Sequence, residues 1–303
     1  MLALTLFGIF FAIALAGVPL LYSILITTTG IIALQGLGHP LETIFLSFIG
    51  GVEPFILLAV PLFIFAGELL AQGGVGKRIV EFARVLFGWL PGGLGVVTVI
   101  SCTMFGGVSG SAIADTAAIG SLVIPAMVAR GYSRGFAAAL LAVAGTIALL
   151  MPLSIPFLVY AFISGVSMRT LSMAGLLPAL ATAVALIVMC MWHGKKTGVD
   201  NGEDRSTPAQ IWVATKDAGP ALMMPLIIVG GIWSGQFTPS ESAAVAVFYG
   251  LAVSLFYYKD LSWRHIPQLM LNAFSTSATV MLVIGATGAM AWQGPHHTAQ
   301  KST

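Results

Sequence analysis

The sequence is short of charge. Its 303 residues include 13 Lys and Arg and 11 Asp and Glu, 8% in all, where soluble domains carry about a quarter. So few charges cannot cover a water-facing surface, which excludes an ordinary soluble domain. The mean hydropathy of +0.98 and the 58% hydrophobic content put most of the chain in lipid. The net charge of +2 and the lack of any basic cluster leave no footprint for nucleic acid. The two cysteines, Cys102 and Cys190, lie in apolar segments without metal-ligand spacing, so a disulfide framework is not expected. The five histidines (His39, His193, His265, His296 and His297) fall in loops or the tail, none at mid-span. The opening MLALTLFGIFFAIALAGVPLL lacks the basic n-region of a signal peptide and stays apolar past residue 30, so it reads as a retained first span.

Apolar runs are abundant, and several reach the roughly 20 residues that cross a bilayer as a helix. Spans are expected near 2–18 and 20–37, separated at Pro19, then a loop with His39, Pro40 and Glu42, then a span at 53–72 bracketed by Glu53 and Glu68. In VGKRIVEFARVLFGW (75–89), Val75, Ile79, Phe82, Leu86 and Phe87 recur near helical spacing, opposite Lys77, Arg78, Glu81 and Arg84. That pattern fits a helix lying in the interface plane; the competing reading is a linker helix in water. A short apolar helix follows at 91–105, a turn GYSRG at 131–135, an interrupted apolar stretch at 136–165 and an uninterrupted span at 171–192.

The one long polar segment, HGKKTGVDNGEDRSTPAQIWVATKD (193–217), holds four of the 13 basic residues. The positive-inside tendency makes it cytoplasmic, and it divides the chain into two membrane halves. Spans near 219–235, 240–258 and 272–292 follow, the last preceded by the short amphipathic KDLSWRHIPQLM (259–270). An interfacial piece ahead of a short apolar helix in both halves hints at the internal duplication common in secondary transporters. The expected fold is all-α and polytopic, with about nine spans. Its domains are a first membrane repeat (1–192), a polar cytoplasmic linker (193–218), an incomplete second repeat (219–292) and a polar tail (293–303).

Within this apolar chain, GGVSGSAIADTAAIGSLVIP (Gly106 to Pro125) is crowded with small and polar residues. Glycine costs about 1 kcal/mol per residue in a helix interior, so the cluster predicts a break, and residues 106–130 are expected to form a re-entrant hairpin of two half-helices. Irregular backbone at membrane depth survives only inside protein or beside a water-filled cavity, and its exposed amides and carbonyls can hold ions or anionic groups. Asp115 is the one carboxylate between Glu81 and Asp200. Near mid-membrane it costs about 2.5–3.5 kcal/mol even on a lenient scale, so it must be paired or hydrated. It reads as part of a cation or substrate site, or else as a helix cap. Ser109 and Ser111 read as site hydroxyls or as small residues for close helix packing.

A second element is TIALLMPLSIP, Thr146 to Pro156. Each interior proline frees the carbonyl four residues earlier, here those of Ala148 and Pro152, while Thr146 and Ser154 add hydroxyls. A hard cation such as sodium takes oxygens of this kind; the alternative is a kink in a packed helix. A third, GGIWSGQFTPSESAAVAVFYG (230–250), contains a helix start with Thr238 as N-cap, Pro239 in the first turn and Glu241 three residues on. An enzymatic reading rests on Gly107 to Gly110, GVSG, which fits the Gly-x-Ser-Gly pattern of intramembrane serine hydrolases. That chemistry needs a base within hydrogen-bond reach of the serine, and the sequence places no histidine at mid-span.

PLFIFAGELLAQGG, GGVSGSAIADTAAIGSLVIPAMVARGY, PLSIPFLVY and GGIWSGQFTPSESAAVAVFYG, in this order, resemble segments of the large membrane subunit of TRAP (tripartite ATP-independent periplasmic) transporters. The resemblance runs from about residue 1 to 292. It implies not an enzyme but a sodium-driven elevator carrier in the bacterial inner membrane. Such a carrier takes up small organic acids, C4-dicarboxylates or sugar acids, delivered by a periplasmic binding protein, and works with a small membrane subunit. Sodium is the coupling ion and no cofactor is implied. The implied substrate and ion site comprises Ser109, Gly110, Ser111, Asp115 and Thr116 of the hairpin with Thr146, Ala148, Met151, Pro152 and Ser154 of the broken helix, with sodium at Ser109, Ser111, Ala148 and Met151. In the broken helix this chain has Ala148-Leu149 and Pro152-Leu153 where the family has Gly-Pro and Pro-Pro. The family also continues beyond residue 292 through a second hairpin and a second broken helix, so the resemblance implies a C-terminally truncated member, incomplete as a lone chain. A non-transporting membrane scaffold is the remaining alternative.

Overall fold

The computed structural model describes residues 2–35 and 41–291. The expected loop at His39 and Pro40 and the tail 293–303 lie outside the described residues. Thirteen α-helices are described: α1 (Leu2–Leu15), α2 (Leu20–Gln35), α3 (Leu41–Val52), α4 (Ala59–Gln72), α5 (Val75–Phe87), α6 (Gly93–Ser109), α7 (Ala112–Ala129), α8 (Arg134–Thr146), α9 (Ile155–Ser164), α10 (Met168–Thr197), α11 (Pro208–Ser234), α12 (Pro239–Ala252) and α13 (Ile266–Ala291). Among the described residues no strand occurs. Among the described residues seven helical stretches are long and apolar enough to cross a bilayer, and Thr5–Leu15, Leu20–Gly30 and Gly93–Ser109 are shorter apolar helices. The protein is an all-α polytopic membrane protein.

Two compact units divide the chain. The first holds residues 1–57 and 275–303. In it α1 and α2 pair, joined by the Gly17 turn (φ +88). α3 takes in Glu42, which the sequence places in a loop, and it lies against the C-terminal part of α13 at glycines: a Cβ on Gly51 would sit 3.3 Å from the Gly288 Cα.

The second unit, residues 58–274, contains both candidate elements. α5 forms where the amphipathic segment predicts it, with Val75, Ile79 and Ala83 fully buried and Lys77 and Glu81 exposed. Its buried side covers protein: a Cβ added at Gly76 would stand 3.6 Å from Ile119 and 3.9 Å from Phe105, of α7 and α6. α10 extends beyond the expected 171–192 at both ends. The polar segment is non-helical only from Gly198 to Thr207, because Thr207 and Gln210 form a capping box that starts α11 inside it. Thr238 and Glu241 do the same for α12, each accepting the other's backbone amide (3.3 and 2.8 Å). The expected amphipathic piece at 259–270 shrinks to one turn, Trp263–His265. Pro267 sits in the first turn of a helix, where its missing amide costs nothing, so α13 begins at Ile266.

Gly92, just before α6, has φ +70, and a Cβ there would overlap the Cys190 carbonyl of α10. Gly92→Ala is expected to lower the melting temperature in detergent by several degrees, because the left-handed backbone alone costs an L-residue about 1–2 kcal/mol. Gly135→Ala, at an open helical position, should leave it unchanged or raise it slightly.

Candidate functional site: a helical hairpin seated on a helix break

The small-residue stretch breaks at one point. α6 runs on through Gly106 and Gly107 to Ser109, and α7 starts at Ala112, so the expected short helix 91–105 and the first half of the hairpin are one helix. Gly110 takes the left-handed conformation (φ +58), which glycine adopts without steric penalty, and donates its amide to the Gly106 carbonyl at 3.1 Å. The two helices then run antiparallel. Thr98 lies against Met127 near the base (3.6 Å), and Ser109 Oγ donates to Asp115 Oδ1 at the tip.

Ser111, rather than Asp115, caps α7, accepting the Ala114 amide at 3.4 Å. Ser109 Oγ also accepts the Ser111 amide at 3.2 Å. Asp115 is fully buried, and its Oδ2 has no hydrogen-bond partner among the described residues. A buried carboxylate oxygen in that state carries an unmet desolvation cost. The surroundings are tight: a Cβ on Gly106 would lie 2.7 Å from Asp115 Oδ2 and 2.8 Å from the Ala148 Cα.

The proline-rich element breaks as well. α8 passes into a 3-10 turn, Ile147–Leu150, the chain becomes extended at Met151, and α9 restarts with Ser154 as N-cap accepting the Phe157 amide (3.4 Å) and Pro156 in its first turn. The expected carbonyls are exposed from the helix but each holds one bond. Ala148 O accepts the Met151 amide at 3.3 Å, and Pro152 O accepts Ser172 Oγ of α10 at 3.0 Å. Each retains a second lone pair.

The hairpin tip rests on this break. A Cβ on Gly110 would stand 2.5 Å from the Leu153 carbonyl oxygen and 3.0 Å from the Ser154 Cα. The structure thus gathers Ser109, Gly110, Ser111, Asp115, Ala148 and Ser154 in one region, with Met151 and Pro152 buried in the turn between. Thr116 contacts α8 through Gly145. Thr146 is exposed and donates to its own helix at the Val143 carbonyl (2.7 Å). Sequence reading missed Gly67 of α4, where an added Cβ would stand 3.5 Å from the Ser109 carbonyl oxygen. It also missed Gly145 and Ser172, although a glycine inside an apolar span is a signal of close helix approach. A polar cavity of about 870 Å³ lies elsewhere, lined by charged residues including Glu81, Arg84, Glu203 and Asp217. It is a cleft between α5, the polar segment and α11, and none of the tip residues lines it.

Residues 7–297 match the family model described as Tripartite ATP-independent periplasmic transporter, DctM component. The chain is 40% identical over 238 residues to a putative TRAP transporter large permease protein of Haemophilus influenzae, covering 78% of this chain and 56% of that protein. It is 36% identical over 299 residues to the C4-dicarboxylate TRAP transporter large permease protein DctM of Rhodobacter capsulatus, covering 94% and 67%. It is 38% identical over 280 residues to the isethionate TRAP transporter permease protein DctMQ of Oleidesulfovibrio alaskensis, covering 92% and 44%. The chain spans about half to two thirds of the length of these relatives. They are transport subunits rather than hydrolases, and here the serine of the GVSG pattern is bonded to Asp115. A match over nearly its whole length, on a polytopic helical fold with a small-residue hairpin, makes this chain a member of the DctM family, the large permease component of TRAP transporters.

Proposed function

We propose that the chain acts in sodium-coupled uptake of a small organic anion, a C4-dicarboxylate or sugar acid, with the substrate and ion meeting where the hairpin tip sits on the helix break. The observation that carries this reading is the buried Asp115, one oxygen held by Ser109 and the other unpartnered, directly beneath a break with spare carbonyl lone pairs. A carboxylate beside Ser109, Ser111 and Ala148 offers hard-cation chemistry of the kind sodium uses, with Met151 of the adjoining break as the further proposed ligand. The anion is favoured at the N-terminal ends of α7 and α9, where the first amides and the helix dipole attract negative charge. Relatives named for C4-dicarboxylate, 2,3-diketo-L-gulonate and sialic acid support an organic anion. The fused name DctMQ of another supports a small membrane subunit as partner. A periplasmic binding protein would deliver the substrate, in the inner membrane, with 1–192 as the first repeat, 219–292 as an incomplete second one, the polar segment between them on the cytoplasmic side and α6–α7 as the re-entrant hairpin.

The test is uptake into proteoliposomes carrying these residues within a permease of its relatives' full length, together with the small subunit and the binding protein. A sodium gradient is expected to drive accumulation of a labelled dicarboxylate or sugar acid. Accumulation that is the same with potassium in place of sodium would end the sodium-coupled reading.

A further inference from the structure

The open end of the hairpin is closed by a residue of the polar segment. α6 begins at Gly93 and α7 ends at Ala129, so their free ends lie side by side. The first amides of a helix have no carbonyl within it to bond. Asp200 supplies two acceptors: its Oδ2 takes the Leu94 amide at 2.7 Å and its backbone carbonyl takes the Gly92 amide at 2.8 Å. From the end of α7, Arg130 donates to Oδ1 at 2.9 Å and the Tyr132 hydroxyl to Oδ2 at 3.4 Å. Nearby, Glu203 accepts from both Arg84 and Arg130, and its amide donates to the Gly88 carbonyl at 2.8 Å. Burial works against the Arg130 charge, but Asp200 and then Glu203 outweigh it and hold its pKa above the usual range.

The Asp200 side chain is 1% exposed. Its backbone is left-handed, with φ +55, a conformation that costs a non-glycine residue about 1 kcal/mol or more. That backbone turns the carbonyl and the carboxylate of one residue toward the same helix start. An acid there also faces the positive end of the α6 dipole.

We propose that Asp200 is a positioning residue for the hairpin, pinning the start of α6 to the end of α7 so that the tip stays seated on the break at Leu153–Ser154. This rests on reading the tip as the working site. The lever is long: the 17 residues of α6 rise about 25 Å. A rotation of about 5° at the base would move the tip by roughly 2 Å, while a binding constellation tolerates about 0.5 Å.

The two native cysteines make the proposal testable in the full chain in membranes. Both are buried and free. Cys190 lies under the start of α6, where a Cβ on Gly95 would stand 3.1 Å from its sulfur. With Cys102→Ser as background, Asp200→Ala is expected to speed N-ethylmaleimide labelling of Cys190 by about 10-fold or more, the scale of losing hydrogen bonds to a charged group. Asp200→Gly relaxes the backbone but removes the carboxylate, so it should behave like Asp200→Ala. Wild-type protection in Asp200→Gly would overturn the proposal. In a Cys190→Ser background Cys102 should stay protected. If Asp200→Ala exposes both thiols, the fold is lost and Asp200→Asn decides: faster labelling of Cys190 alone supports the proposal, and an unchanged rate overturns it.

The readout that a merely structural clamp would not move is sodium protection at the tip. In a background of Cys102→Ser and Cys190→Ser, a cysteine at the exposed Ile113 reports it. Asp200→Asn should raise the sodium concentration for half-protection several-fold, while leaving the maximum protection as it was. An unchanged concentration reduces Asp200 to a clamp and overturns the positioning role. If sodium protects nothing even with Asp200 intact, the ion-site reading fails, and the Cys190 rates still judge Asp200.

Discussion

Gly110→Val is expected to abolish sodium-driven uptake, by about 100-fold or more. Two costs add at this position. The left-handed backbone (φ +58) penalises any L-residue by about 1–2 kcal/mol, and a β-branched one most. The added Cβ would also stand 2.5 Å from the Leu153 carbonyl oxygen, a backbone atom that cannot turn aside, and overpacking typically adds about 1–3 kcal/mol. A total near 3 kcal/mol corresponds to roughly a hundredfold loss of the seated tip. The remainder of α6 and α7 keeps its packing, so the variant should still be made and inserted. The check is the initial uptake rate per reconstituted protein, with Gly135→Ala as an indifferent control. Uptake within twofold of the parent would mean that the tip need not touch the break.

Asp115→Asn should separate charge from shape. The amide has the volume of the carboxylate, and its oxygen can still accept the Ser109 hydroxyl. The fold is therefore expected to survive, and a buried charge lacking a full set of partners is removed. Sodium dependence should suffer. Hydrogen bonds and ion contacts to a charged group are worth about 1.5–3 kcal/mol, so uptake at fixed sodium should fall roughly 10- to 100-fold and recover in part as sodium is raised. Ser109→Ala should lower stability as well as the sodium response, because it strips Asp115 Oδ1 of its hydrogen bond and removes an oxygen of the proposed ion site. An Asp115→Asn protein with the parent's sodium response would remove Asp115 from the ion site.

Local chemistry explains what could be read in the sequence. Glycines and serines around residue 110 do break the backbone, Pro152 and Pro156 do interrupt a helix, and Thr238 does start one, because each effect acts within about four residues. The exact place of the break was less legible. Gly106 and Gly107 look like breakers but stay helical: a Cβ on Gly106 would strike Asp115 and Ala148, so close packing selects glycine there and the helix tolerates it. Thr146 was legible only as a hydroxyl near a break; which face it occupies depends on the phase of α8 relative to its neighbours, and it faces outward. The Asp200 contacts left no sequence signal. They join residues 68 to 106 positions apart, and nothing in VDNGED distinguishes the buried Asp200 from the nearby Asp204.

Among these long-range contacts, those of α5 set an order of events during synthesis. Arg84 is held by Glu203, and Arg78 stacks on Tyr258 at 3.7 Å and pairs with Asp260 at 2.5 Å. The Arg78 and Asp260 positions are 182 apart. At about 5–20 residues per second, a ribosome needs roughly 9 to 36 seconds between the two. A helix translated early is therefore secured at both ends only after α12 has emerged, and through that interval its arginines must find water or lipid headgroups as temporary companions.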